Sequence, residues 1–176
     1  AIRAYLATAE ELQLPEEIGA AYNYLGYCFT AMEDLPNALA WSRKAMETRR
    51  SVGDGIDLAN AYIGLGNILD EMGQHDSAFH YMQRSLALHR TLDRPDNHAA
   101  AYFSTIETLR HLGWSDSVDV FLARVAVLVG QLDRPRSNMH YFNLLGQREL
   151  ELGHSTLAIA HLLQADTLAV AIEDHR

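Results

Sequence analysis

A single cysteine, Cys28, stands in the 176 residues, so no internal disulfide can form. That suits a reducing compartment, and a cytoplasmic location is the expectation. A lone cysteine of this kind reads as a small buried hydrophobe rather than a nucleophile. Positive charge is also scarce. Fourteen Lys and Arg against 23 Asp and Glu give a net charge of 14 − 23 = −9. Phosphate binding needs a basic face, so direct nucleic-acid binding is not expected. No apolar stretch reads as the ~20 residues needed to cross a membrane, and no membrane partner is expected. The chain starts at Ala1 without a charged leader and apolar core. It has no low-complexity run, no phosphate-binding glycine loop and no nucleophile elbow.

What the chain does have is a period of 40 residues. Tyr22, Tyr62, Tyr102 and Phe142 keep that step. So do Leu25, Leu65, Thr105 and Leu145, then Gly26, Gly66, Ile106 and Gly146. Ala38, Ala78, Val118 and Ala158 follow the same rule, as do Gly73, Gly113 and Gly153. The tetrapeptide L-D-R-P occurs at 92–95 and again at 132–135. A fixed period of this length means stacked units, none of which buries its apolar face alone.

Each period reads as two amphipathic helices. In 57–72, Leu58, Ala61, Tyr62, Leu65, Ile68, Leu69 and Met72 recur at three- and four-residue steps, which is one helical face. Asp57 is the expected cap, Gly73 the stop, and Asp76 the next cap. The layout puts first helices near 17–32, 57–72, 97–112 and 137–152, and second helices near 36–51, 76–91, 116–131 and 156–173. Residues 1–12 match a second helix without its partner. Pro15, Pro95 and Pro135 stand before first helices, where a missing N–H costs little. Gly53-Asp54-Gly55 takes that place once and is expected to be the most flexible linker. Mid-helix Gly26 and Gly66 would each cost about 1 kcal/mol against Ala, which close approach to Ala38 and Ala78 would justify.

The pattern of Tyr22, Leu25, Gly26, Phe29, Ala38 and Ala45, repeated as Tyr62, Leu65, Gly66, Leu69 and Ala78, resembles the tetratricopeptide repeat. Phe142, Leu145, Gly146, Ala158 and Ala165 carry it fairly, while the unit of Tyr102 is degenerate. The longer period is similar to that of kinesin light chain and of bacterial signalling regulators. The resemblance implies an all-α, right-handed superhelical solenoid of antiparallel helix pairs. Its units would be a partial repeat at 1–15 and repeats at 16–55, 56–95, 96–135 and 136–176. It also implies a concave groove lined one, five and eight places after each signature aromatic. That gives Asn23, Tyr27 and Thr30; Ile63, Asn67 and Asp70; Phe103, Glu107 and Arg110; and Asn143, Gln147 and Leu150. Two places before the aromatics stand Ala20, Asn60, Ala100 and His140. The candidate peptide-binding set is Asn23, Tyr27, Asn60, Ile63, Asn67, Phe103, Glu107, Arg110, Asn143 and Gln147. Amides donate and accept, so such a groove clamps a peptide backbone with little regard to sequence. Arg110 is its only basic residue, against a carboxylate-binding specificity.

Other constellations are weaker. Nine histidines contain no H-x3-H pair and no neighbouring cysteine, so no metal or cofactor is expected. The pairs Glu10-Glu11, Glu16-Glu17 and Asp70-Glu71 show nothing that would shift a pKa for acid–base work, and no catalytic residue is assigned. Trp114 sits in a turn, either as an exposed hot spot or packed on a loop. Trp41, Tyr81, Phe121 and His161 form a register-matched stripe expected to pack between repeats. Glu149 occupies the place of Phe29, Leu69 and Leu109. Either the last unit rotates or a partner surface begins there.

The expected function is protein or peptide binding, as the sensory or regulatory part of a larger protein. Self-association through exposed terminal helices is the alternative, and a small-molecule or enzymatic domain a more distant one. Ile2, Tyr5 and Leu6 at one end, and Leu162, Leu163, Leu168, Val170 and Ile172 at the other, are expected to lie uncovered. With the phase of the two ends, the expectation is that the chain is a piece of a longer array.

Overall fold

The computed structural model describes residues 1–92, 95–132 and 134–173, apart from the side chain of Asp96. The two L-D-R-P copies therefore lie partly outside the described residues. Among the described residues there are nine α-helices and no strand. They are α1 (Ile2–Glu11), α2 (Pro15–Ala31), α3 (Leu35–Val52), α4 (Gly55–Glu71), α5 (His75–Leu92), α6 (Pro95–His111), α7 (Ser115–Leu132), α8 (Pro135–Glu151) and α9 (Ser155–Glu173). They fall into two compact units, 1–93 and 94–176.

Helix starts follow local chemistry. Pro15 and Pro135 are the first residues of their helices rather than preceding them. Glu16 and Glu17 put negative charge in the first turn of α2, where the helix dipole favours it. Asp34 caps α3 by accepting from the Asn37 amide at 3.3 Å. The cap of α4 is Asp54, which accepts from the Asp57 amide at 3.1 Å. Asp57 is thus inside the first turn and not the cap. The left-handed Gly53 ends α3 one residue earlier, and the chain restarts at once. Asp76 likewise lies inside α5, which begins at His75. The linker expected to be most flexible is tied down by that cap and by Arg49, which lies 3.7 Å from Asp54 and 2.8 Å from Asp57.

In the first unit, α2 packs on α3, α3 on α4, and α4 on α5. Two apolar clusters result. Leu6, Ala21 and Leu25 gather with Ile2, Ile18, Tyr22 and Trp41. Met46, Ala61, Tyr62, Leu65, Leu69 and Ala78 gather with Leu39, Leu58 and Tyr81. Leu6 is therefore buried under α2, contrary to the expectation that it stands uncovered. A wholly buried side chain such as Leu65 contributes about 1.5–3 kcal/mol. In the second unit α6 packs on α7, and α8 on α6, α7 and α9. Ile106, Leu109, Val118 and Val125 are fully enclosed there.

The small residues sit where paired helices approach. A Cβ on Gly66 would lie 2.7 Å from Met82 Cε and 3.3 Å from the Ala78 carbonyl oxygen. On Gly146 it would meet Leu162 Cγ at 2.6 Å, so Leu162 faces its own hairpin rather than an uncovered end. The aromatic stripe pairs inside each hairpin. Ring centroids are 5.6 Å apart for Tyr22 and Trp41, 5.9 Å for Tyr62 and Tyr81, 5.6 Å for Tyr102 and Phe121, and 6.0 Å for Phe142 and His161.

Cys28 is exposed, not buried. Among the described residues one helix, α9, is long and apolar enough to cross a membrane by length and composition. Counting unbroken apolar runs misses it, because His161, Gln164, Asp166 and Thr167 interrupt the apolar residues between Leu157 and Ile172.

Candidate functional site

The candidate residues lie on the first helix of each hairpin. In the first unit Asn23 and Tyr27 lie on α2, and Asn60, Ile63 and Asn67 on α4. Asn67 is exposed and Tyr27 is 56% exposed, while Asn23, Asn60 and Ile63 are half-buried. Thr30 turns its hydroxyl back to the Gly26 carbonyl at 3.1 Å. Asp70 accepts a hydrogen bond of 2.7 Å at its Oδ1 from His75 Nδ1, which ties the end of α4 to the start of α5.

The second unit brings its candidates into contact. The Phe103 and His140 rings stack at 5.7 Å with an interplanar angle of 26°. Arg110 donates from Nη1 to Glu107 at 2.7 Å and to the Gln147 side-chain oxygen. Its Nε donates to Glu151 at 2.7 Å. Burial pulls the Arg110 pKa down, but the bonds and charges of Glu151 and Glu107 outweigh it, and the net shift is upward. The one basic residue of the candidate set is thus already engaged with two carboxylates and an amide. Asn143 remains exposed on α8, as do His140 and Leu150.

Sequence reasoning missed the outer half of this network. Arg148 donates from Nε and Nη2 to the two Asp119 oxygens at 2.7 and 2.8 Å, and from Nη1 to Glu151 at 3.3 Å. Those bonds hold the Asp119 carboxyl below its ordinary range against a smaller opposing effect of burial. The available signal was the 40-residue register, in which Arg148 stands where Cys28, Ile68 and Thr108 stand. Glu149 has a local task that needs neither a rotated unit nor a partner. Its Oε2 lies 2.7 Å from His154 Nδ1, clasping the turn between α8 and α9. Trp114 is 45% exposed in the turn before α7.

No curated protein sequence matches the chain. Residues 17–91 match the tetratricopeptide repeat family. Similar solved structures include BtubC (BKLC) from P. vanneervenii, with 19% identity and a TM-score of 0.82 over 98% of this chain and 72% of that one. A putative kinesin light chain from Podosopora anserina, with nearly identical repeats, has 13% identity and a TM-score of 0.74 over 98% and 85%. MamA has 17% identity and a TM-score of 0.64 over 98% and 89%. At such identities the likeness establishes the fold, which is the tetratricopeptide-type solenoid of helix pairs. The family signature is thus confined to residues 17–91, and the solenoid fold extends over nearly the whole chain.

Proposed function

We propose that the protein is a binding scaffold, not an enzyme, and that each of its two units holds an extended peptide segment on the faces of its own first helices, in a cytoplasmic setting. The observation that carries this is the state of the charges. Glu107, Arg110, Gln147 and Glu151 bond one another, and the candidate groups that face solvent without such an ion pair include amides, rings and Leu150. Asn67, Asn143, Tyr27 and the Phe103–His140 stack are such groups. Amides clamp a peptide backbone and rings accept apolar side chains, which gives recognition of peptide shape more than of peptide charge. A segment anchored by its terminal carboxylate fits poorly, because Arg110 is taken. A role as the sensory or regulatory part of a larger protein follows the same reading.

The test is selection from a random peptide library displayed on phage, followed by titration of the enriched peptides. Asn67→Ala and Asn143→Ala should each weaken the peptides that their own unit holds by several-fold, about 1 kcal/mol per lost hydrogen bond, without moving the melting temperature. Enriched peptides that bind these variants and Tyr27→Ala and Phe103→Ala as tightly as the parent would overturn the assignment.

A further inference from the structure

The second helices of the two units differ on the face turned away from their partners. In α3 the exposed positions at steps of three, four and three are Ala40, Arg43, Glu47 and Arg50. In α5 they are His80, Gln83, Ala87 and Arg90. Both are polar stripes. The same positions in α7 are Val120, Ala123, Val127 and Gly130, and in α9 Ala160, Leu163, Thr167 and Val170, all exposed. Val120 is 48% exposed, Val127 62%, Leu163 60% and Val170 53%. A further helix packed against the second helix does not cover this face. Arg43 and Arg50 are exposed although α4 packs on α3, and Val120 and Val127 although α8 packs on α7.

Steps of three, four and three are those of a helix-to-helix seam. The two stripes are also complementary in size. Along the chain α7 reads large, small, large, small, and α9 reads small, large, large, large, because Thr167 matches valine in size, so three of the four positions set a large residue against a small one. A Cβ at Gly130 would meet nothing within 4 Å, so a neighbour can come close there. Because the stripes are one repeat apart and their hairpins stack through α8, the two helices run in the same direction on one side of the unit. A two-fold axis parallel to them, lying between them, faces α7 of one copy with α9 of the other in matching register. Val120 then meets Ala160 of the second copy, Ala123 meets Leu163, Val127 meets Thr167 and Gly130 meets Val170.

Charge agrees with that arrangement. At 3.6 residues per turn, Arg124 borders the α7 stripe on one flank and Asp166 borders the α9 stripe on the other. Parallel pairing sets those two flanks side by side. Antiparallel pairing sets like flanks together and loses the match. We infer that the exposed stripes of α7 and α9 form a self-complementary surface that joins two copies of this chain, with α7 of each packed against α9 of the other. An acidic chain whose α9 has no Lys or Arg among its described residues fits a second copy better than an anionic lipid surface.

Analytical ultracentrifugation of the 176-residue chain over a concentration series tests this. The parent should show a monomer–dimer equilibrium. Val127→Lys and Leu163→Lys, at exposed positions, should each raise the dissociation constant at least about tenfold while leaving the melting temperature unchanged at low concentration. Arg124→Glu should weaken the dimer, and adding Asp166→Arg should restore it. A parent that stays monomeric at the highest concentration, or a dimer insensitive to both lysine variants, overturns the proposal. A charge reversal without rescue overturns the α7-to-α9 pairing. Flotation of the parent with neutral or anionic vesicles, without self-association, assigns the stripes to lipid instead and also overturns it.

Discussion

Arg148 of α8 holds Asp119 of α7 through two hydrogen bonds of 2.7 and 2.8 Å, at the positions that in the first unit belong to Ile68 and Leu39. One repeat boundary thus uses apolar residues where another uses an ion pair, in the same register. The guanidinium is nearly enclosed, with 9% of its side chain exposed, while Asp119 remains 53% exposed. Taking a charge out of water costs free energy that the partner must offset, so removing one partner hurts more than replacing both. Asp119→Leu should therefore destabilise the chain by ~1 kcal/mol or more, softened by the remaining bond to Glu151. The double change Asp119→Leu with Arg148→Ile, which copies the first unit, should recover that loss or exceed the parent. Chemical denaturation of the four proteins in the cycle gives the coupling, and a double variant less stable than Asp119→Leu alone would refute the equivalence.

The same pair sets a dependence on pH. Hydrogen bonds from Arg148 lower the Asp119 pKa in the folded chain, against burial. A carboxyl depressed on folding contributes stability above its unfolded value, about 3.9, and loses it as pH falls through the folded value. The parent should therefore be more stable than Asp119→Asn at neutral pH, with the gap closing below about pH 4. Melting curves of both proteins between pH 7 and 2 check this. A gap that stays constant across the range would show that Asp119 contributes through packing and not through charge.

Gly66 gives a packing test. Its hydrogen faces Met82 Cε and the Ala78 carbonyl, with no room for a branched side chain. Gly66→Leu should cost about 1–3 kcal/mol through overpacking, even after the helix propensity that leucine gains. Because the nearest obstacle is the flexible end of Met82, adding Met82→Ala should return part of the loss. Thermal melting decides, and a Gly66→Leu protein melting with the parent would mean that the hairpin is looser there than the distances indicate.

The hairpins were legible because their defining residues recur in strict register. Tyr62, Leu65, Gly66 and Ala78 fix a face, a close approach and a phase at once. Helix ends were less legible because Asp54 and Asp57 both suit the start of a helix. Only the backbone of Gly53 decides between them. The stripe of Trp41, Tyr81, Phe121 and His161 was readable as an apolar face, but periodicity does not say which neighbour a face meets, and the ring pairs close within the hairpin. The candidate site shows the same limit. The register located Arg110 and Gln147, yet their bond, and the engagement of Arg110 by Glu151, depends on how α6 lies against α8. Arg148 carried no local signal and stands out only beside Ile68 and Thr108.

The turns offer a test that touches neither packing nor charge pairing. Residues 13, 33, 53, 73, 113 and 153 all take the left-handed backbone conformation that closes a helix. Glycine fills four of these places, but Gln13 adopts a φ of 52° and Glu33 a φ of 59°. A residue with a Cβ pays about 1–2 kcal/mol there, whereas glycine loses mainly the entropy of its freer unfolded chain, up to about 1 kcal/mol. The difference favours glycine. Glu33→Gly should thus raise the melting temperature by about 1–3 °C, the reverse of the usual effect of introducing glycine. Gly73→Ala at φ 73° should lower it by a similar amount. Glu33 is exposed, so Glu33→Ala serves as the control: it keeps the Cβ and should leave the melting temperature where the parent has it. Calorimetry on the three variants settles the sign. A Glu33→Gly protein that melts below both the parent and Glu33→Ala would show that the Glu33 side chain contributes more to this turn than its backbone strain removes.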